Sequence, residues 1–197
     1  MQSEGLAPFP DSAVRDMVGR GVATLVERAF RARGIALDAA EKQRTLEKMM
    51  QIYPRHLIDR SQLMPGAQTA LDALRAAGKQ LAVVTNKPQV AAETVLDHFR
   101  IATYFGAIVG DDPLSPGHLS PKPAPDLLLF ALRRLGSTPE AAVMVGDSSA
   151  DILSAAAANI RSVGVRNGYS PQPIDSFNPS FVIQSLAKLP ELLANLD

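Results

Sequence analysis

An α/β fold, a parallel sheet with helices on both faces and a small helical segment ahead of it, is what this sequence predicts, on three observations. Up to about residue 62 apolar residues recur only at helical spacing; from Leu63 short apolar runs alternate with helical stretches; and several of those runs end in small polar or acidic residues. Strand and helix in alternation build a parallel sheet, because each helical crossover returns the chain to the same end of the sheet. The reading divides the chain into a helical part, residues 11–62, and an α/β part, residues 63–197.

Met1 to Pro10 holds two prolines and no apolar period, which predicts a loop. Asp11 or Ser12 reads as the N-cap of a short helix running to Val18, stopped by Gly19-Arg20-Gly21. Val22, Leu25, Val26, Ala29 and Phe30 predict a second helix ending at Gly34, and a third runs from about Leu37 to Tyr53, before Pro54. After the turn Met64-Pro-Gly66, Ala67 to Ala77 is a helix closed by Gly78, and Gln80 to Val84 a strand. A helix over Val90 to Phe99, a strand over Ala107 to Val109, a Pro- and Gly-rich loop to Pro125 and a helix over Asp126 to Leu135 follow. The short apolar run Ala142 to Val145 reads as a strand buried on both faces, followed by a helix over Asp151 to Ala158. Strands over Ser162 to Val165 and Phe181 to Ile183 and a helix from Leu189 to Leu196 complete the pattern.

Composition narrows the function classes. At 197 residues and 46% hydrophobic the chain can bury one substantial core. Twenty basic and twenty acidic residues balance, so no global field points to nucleic acid or an anionic membrane. The absence of cysteine excludes disulfides, thiolate metal sites and cysteine nucleophiles and suits a reducing compartment. No apolar run reaches the ~18 residues of a membrane span, and Met1 to Pro10 is not a signal peptide, so the cytoplasm is the expected location.

Four places carry the polar chemistry. Gly146 allows a sharp turn after an apolar strand, and Asp147 and Asp151 follow it, where open α/β sheets place ligands. Two such carboxylates can hold a hard divalent cation, Mg²⁺ in particular, although Asp147 and Ser148 equally suit a helix cap. Thr85 and Asn86, after Val83-Val84, offer a hydroxyl and an amide to a phosphate oxygen, or cap the next helix. Lys122, between Pro121 and Pro123, projects from a stiff loop and could neutralise a phosphate; a solvated lysine is the bland alternative. Arg20 could reach an anionic substrate or lie solvated in its turn. The three histidines, His56, His98 and His118, lack metal-ligand spacing; His56, with Arg55 and Arg60 nearby, reads as a solvated hinge residue.

Taken in order, Thr85, Lys122 and Gly146-Asp147-x-x-x-Asp151 resemble the second, third and fourth motifs of the haloacid dehalogenase-like phosphohydrolase superfamily, closely over Met64 to Val165. Pro65-Gly66, Val84-Thr-Asn-Lys87, Lys122-Pro-Ala-Pro-Asp126 and Val165-Arg-Asn-Gly-Tyr169 look like its phosphoglycolate phosphatase group, and Asp11 to Arg60 is similar to its helical cap. The resemblance implies a Rossmann-like core and a Mg²⁺-dependent hydrolase of small phosphate monoesters. In it Thr85 and Asn86 hold the phosphoryl group, Lys122 orients phosphate and nucleophile, Asp147 binds the metal, Asp151 supports it directly or through water, and Arg20 approaches the substrate.

One departure stands against it. The family's first motif, a strand followed by Asp-x-Asp-Gly-Thr, supplies the attacking carboxylate, and it is not in this sequence; Asp11-Ser12 has no strand before it and Ala13-Val-Arg15 after it. The expectation is therefore a chain truncated before its nucleophile, with an incomplete cap and no first strand, the central one between those ending at Thr85 and Asp147. Loss of that Asp closes the covalent route. A catalytically silent phosphate- or metal-binding module, a protein completing its sheet with a partner strand, and a dehalogenase or phosphomutase on the same fold stay open. The acidic pair favours metal-assisted phosphoryl transfer. Oligomeric state is not legible.

Overall fold

The computed structural model describes residues 5–59, 61–166, 168 and 172–196. Arg60, Asn167 and Tyr169, singled out above, lie outside the described residues. Three helices open the fold: α1 (Asp11–Met17), α2 (Gly21–Arg31) and α3 (Ala39–Ile52). Val22, Val26 and Phe30, four residues apart on one face of α2, are buried against Leu46 of α3, with Leu37, Met49 and Tyr53 around them. α1 starts at Asp11, the first of the two residues expected to cap it. Its N-cap is Pro10, whose carbonyl accepts from the Val14 N–H at 3.2 Å, and Asp11 falls in the first turn. α3 begins at a reciprocal pair: the Glu41 N–H donates to Asp38 Oδ1 at 2.8 Å and the Asp38 N–H to Glu41 Oε2 at 2.9 Å. Pro54 does not end the path sharply, because it sits in the first turn of a 3-10 segment, Tyr53–His56, where its missing N–H costs nothing.

The remainder alternates as expected: α4 (Ala67–Ala76), β1 (Ala82–Pro88), α5 (Gln89–His98), β2 (Ala107–Asp111), α6 (Asp126–Leu135), β3 (Val143–Gly146), α7 (Ser149–Ala157), β4 (Arg161–Val165), β5 (Phe181–Ile183) and α8 (Leu189–Ala194). Every strand pair is parallel. β1 and β2 run further than the apolar pattern indicates, through Thr85 and Asn86 to Pro88 and through Gly110 to Asp111. Their register is regular from Ala82↔Ala107 to Val84↔Val109, then slips before Pro88↔Asp111. α7 starts at Ser149 rather than Asp151, because Ser148 is its N-cap and Asp151 completes the capping pair.

Side chains alternate across the sheet plane. Val143 and Val145 of β3 pack with the cluster of Leu74, Val163, Val165, Ile183 and Leu189, under α4 and α8. Met144 between them packs on the opposite face with Leu128, Leu132, Ala155 and Ala158 of α6 and α7, as does Val84 of β1. Helices thus cover both faces. The strands, however, form two sheets rather than one, β1-β2 and β3-β4-β5, with no ladder between β1 and β3 among the described residues. Burial follows: Val163 of β4, paired on both sides, is 0% exposed, whereas all of β3 and Ala82 to Thr85 of β1 are half-buried. No helix among the described residues is long and apolar enough to cross a membrane.

Candidate active site

The carboxyl ends of β1 and β3, and the loop before α6, meet at Lys122. This lysine is 6% exposed, and its Nζ donates to the Val84 carbonyl at 2.6 Å and to Asp151 Oδ1 at 2.6 Å. Its proline-flanked backbone is held by Asn86, whose Oδ1 accepts the Lys122 N–H at 2.8 Å while its Nδ2 donates to the Lys122 carbonyl at 2.8 Å. A surface lysine in a stiff loop is thereby excluded. The ammonium is a fixed charge under the end of β1. Both ends of the Asn86 amide are committed, so this side chain organises the site. The Thr85 hydroxyl accepts from the Lys87 N–H at 3.1 Å and keeps its own proton for a ligand oxygen.

Asp151 occupies the third position of α7 and binds in two directions. Oδ1 takes Lys122; Oδ2 accepts from the Ser148 N–H at 3.0 Å, the Ser148 hydroxyl at 2.7 Å and the Asp147 N–H at 3.2 Å. The turn Gly146-Asp147-Ser148 is therefore wrapped on the Asp151 carboxylate. Gly146 is required there, since a Cβ would lie 2.2 Å from Asp151 Cβ. Gly168, beyond β4, packs as closely on Asp147, its virtual Cβ 2.2 Å from Asp147 Cβ. Of the two expected cap residues, Asp147 and Ser148, Ser148 is the N-cap of α7, and the single Asp151 carboxylate completes that cap, shapes the Asp147 turn and pairs the buried lysine.

The helical segment closes over this edge. Asn86 Nδ2 donates to the Gly19 carbonyl at 3.2 Å, and Lys87 Nζ to the Tyr53 hydroxyl at 2.6 Å. Gly21, at φ 83°, lies against Asn86 and Asp111; a Cβ there would meet Asp111 Oδ2 at 3.0 Å. Arg20 lines a cleft of about 350 Å³ with Thr24 and Arg28 of α2, facing Pro121, Lys122 and Pro123. Other candidates lie apart: the His56 side chain is 70% exposed and pairs with Asp59 at 2.8 Å, and His98 rests edge-on against Phe99. Among the described residues no three His, Asp or Glu side chains gather as a ready-made metal cluster.

Asp111 is the residue the sequence reading missed. It ends β2 at 3% exposed, and its Oδ1 has no hydrogen-bond partner among the described residues. Burial pushes this carboxyl above the usual carboxylate range, with the nearby His118 acting in the opposite sense. The signal was available, since Ile108-Val-Gly-Asp111 repeats the apolar-strand, Gly, Asp pattern of Met144-Val-Gly-Asp147.

The family described as haloacid dehalogenase-like hydrolase matches residues 3–165. The phosphoglycolate phosphatase of Caulobacter vibrioides is 33% identical over 198 aligned residues, covering 100% of this chain and 81% of its own length. That of Rhodospirillum rubrum is 35% identical, covering 98% of this chain and 80% of its own. A solved structure from Haemophilus somnus, named a predicted phosphoglycolate phosphatase, superposes with a TM-score of 0.84 at 27% identity, over 98% of this chain and 86% of that one.

Proposed function

Because the chain belongs to the haloacid dehalogenase-like hydrolases, we propose that it is a Mg²⁺-dependent phosphatase of small phosphate monoesters, of the kind its phosphoglycolate phosphatase relatives represent. One observation carries the reading: the buried Lys122 ammonium joins the end of β1 to the β3–α7 turn, so the three strand-end elements act at one point. The Thr85 hydroxyl and Lys122 take the phosphate, and residues 11–62 serve as a cap over residues 63–197, with Arg20 at the substrate. Asp147 is the direct metal ligand, and Asp151 supports it through the turn it shapes. The donor set fits Mg²⁺, which takes one or two carboxylates and fills its shell with phosphate and water. When bound, the ion neutralises phosphate charge as a Lewis acid.

The attacking carboxylate we assign to a segment outside these residues. Two observations support this: the sequence holds no Asp-x-Asp-Gly-Thr, and the facing edges of β1 and β3 carry no ladder among the described residues. In the reaction the resemblance implies, a carboxylate oxygen bonds to phosphorus as the bond to the substrate oxygen breaks. The departing alkoxide takes a proton, and water then releases inorganic phosphate and restores the carboxylate. The open edges also favour a second reading, a phosphate-binding module that completes its sheet with a strand from another chain.

The deciding experiment measures phosphate release from 2-phosphoglycolate and an aryl phosphate, with and without Mg²⁺. It uses the chain alone, the chain carrying an added amino-terminal strand with Asp-x-Asp-Gly-Thr, and Asp147→Asn in each. Release only from the extended chain, abolished by Asp147→Asn or by chelating Mg²⁺, is expected. Release from the chain alone would overturn the external nucleophile. Phosphate binding without release in either form would favour the module.

A further inference from the structure

Beyond Arg20, the face of α2 turned towards Lys122 carries charge that the proposed mechanism leaves unused. Arg20, Thr24, Arg28 and Arg31 line the cleft at intervals of four, four and three residues, which places them in one stripe along a helix. Val22, Val26 and Phe30 occupy the opposite, buried face. Most charges along the cleft are already matched. Glu27 is paired with Arg31 at 2.7 Å and with Lys42 at 2.9 Å, and Lys122 with Asp151 at 2.6 Å. Arg20 and Arg28 are different, neither pairing with a carboxylate among the described residues, and of the two only Arg28 is anchored: its side chain makes one hydrogen bond there, Nη1 to the Met17 carbonyl at 3.2 Å, which fixes the guanidinium beside the cleft and spends one of its five N–H donors. A neutral carbonyl leaves its positive charge unbalanced.

We propose that Arg28, with Thr24 beside it, forms a subsite for a carboxylate at the non-reacting end of the substrate, and so makes Arg28 a specificity-determining residue. The inference rests on the phosphatase reading above. A planar guanidinium held at one corner presents its remaining donors as a fork suited to a carboxylate, and the Thr24 hydroxyl adds a single donor. The cleft, about 350 Å³, is of the size that takes a small ligand, and Lys122 and its flanking prolines line the wall facing α2. Arg31, whose side chain is 75% exposed and committed to Glu27, takes no part.

The test compares 2-phosphoglycolate with ethyl phosphate, which has a similar length but no carboxylate, by isothermal titration in Mg²⁺ buffer. Wild type, Arg28→Met, Arg28→Lys and Arg31→Gln are measured, each checked by thermal melting. Wild type binds 2-phosphoglycolate about 10- to 100-fold more tightly, the range of a charge-assisted hydrogen-bond pair. Arg28→Met loses that preference with ethyl phosphate affinity unchanged, Arg28→Lys restores part of it, and Arg31→Gln keeps it. Equal weakening of both ligands in Arg28→Met would make Arg28 a purely structural tie to Met17 and overturn the subsite. So would a wild type indifferent to the carboxylate. Binding of neither ligand by wild type would remove the phosphatase reading itself, and the subsite with it.

Discussion

Two buried charges decide what single substitutions do here. Lys122 and Asp151 form an ion pair with side chains 7% and 9% exposed, and such a pair contributes little net stability but is costly to break on one side. Lys122→Met should destabilise the fold by about 3–5 kcal/mol, because it strands the Asp151 carboxylate among donors placed for an anion. Adding Asp151→Asn should recover a large part of that loss without restoring phosphate affinity. Thermal unfolding and phosphate titration on the two variants read the structural and the binding roles separately. Asp111 gives the opposite sign. Burial raises its folded pKa, so between the ordinary carboxylate range and that raised value the folded chain holds a proton that the unfolded chain has released. Stability contributed by this group is present at acid pH and lost as pH rises. Asp111→Asn should therefore melt higher than wild type at neutral pH, the gap closing towards about pH 4. A gap independent of pH would show that the carboxyl's charge is not the cause.

At the scale of elements, local chemistry sets where helices begin and packing sets how far strands run. The Asp38–Glu41 pair places the start of α3, and Asp38→Ala should cost about 1 kcal/mol, lowering the melting temperature by roughly 2–4 °C for a chain of this size. A loss much smaller than this would mean that packing of Leu46 alone places the helix. The order and type of the strands and longer helices were legible from apolar periodicity, and α6 and β5 lie where that period puts them. The ends of β1 and β2 were not. Nothing apolar continues past Val84 or Val109, and the strands extend because Asn86 is pinned by Lys122 and because Pro88 comes into register with Asp111. Pinning of that kind depends on residues 36 positions apart in sequence, which no local pattern carries. For the same reason the acidic and cationic candidates could be picked individually, and Asp111 could have been from its Gly-Asp strand end, while the role of Asn86 as a tie needed the three-dimensional arrangement.

For the molecule as a whole, the two-sheet arrangement is the feature with the largest energetic consequence. Among the described residues β1 and β3 are each paired on one side only, and the half-burial of β3 and of Ala82 to Thr85 contrasts with β4. They are joined through one apolar cluster, Leu128 and Leu132 of α6 with Ala155 of α7, against which both Val84 and Met144 pack. The helical scaffold thus holds against one cluster two strands that share no ladder with each other among the described residues. Strand edges without a ladder are templates for pairing with another chain. A strand added between them would gain ladder hydrogen bonds at about 0.5–1.5 kcal/mol each and cover the half-buried valines of both neighbours. Three or four such bonds together would contribute about 3 kcal/mol, a rise of roughly 6–12 °C in melting temperature. The chain alone should therefore associate as its concentration rises, in a manner read by sedimentation velocity. If the strand proposed above fills that place, a chain extended by an added amino-terminal strand should run as a smaller, concentration-independent species and melt higher. Because Asp147→Asn alters only a side chain that follows β3 and changes no backbone group of the strands, it should leave both effects intact while removing phosphate release from the extended chain. A chain alone that sediments identically at all concentrations, and whose melting the added strand does not move, would show that the β1 and β3 edges are already satisfied and that the attacking carboxylate must be sought elsewhere.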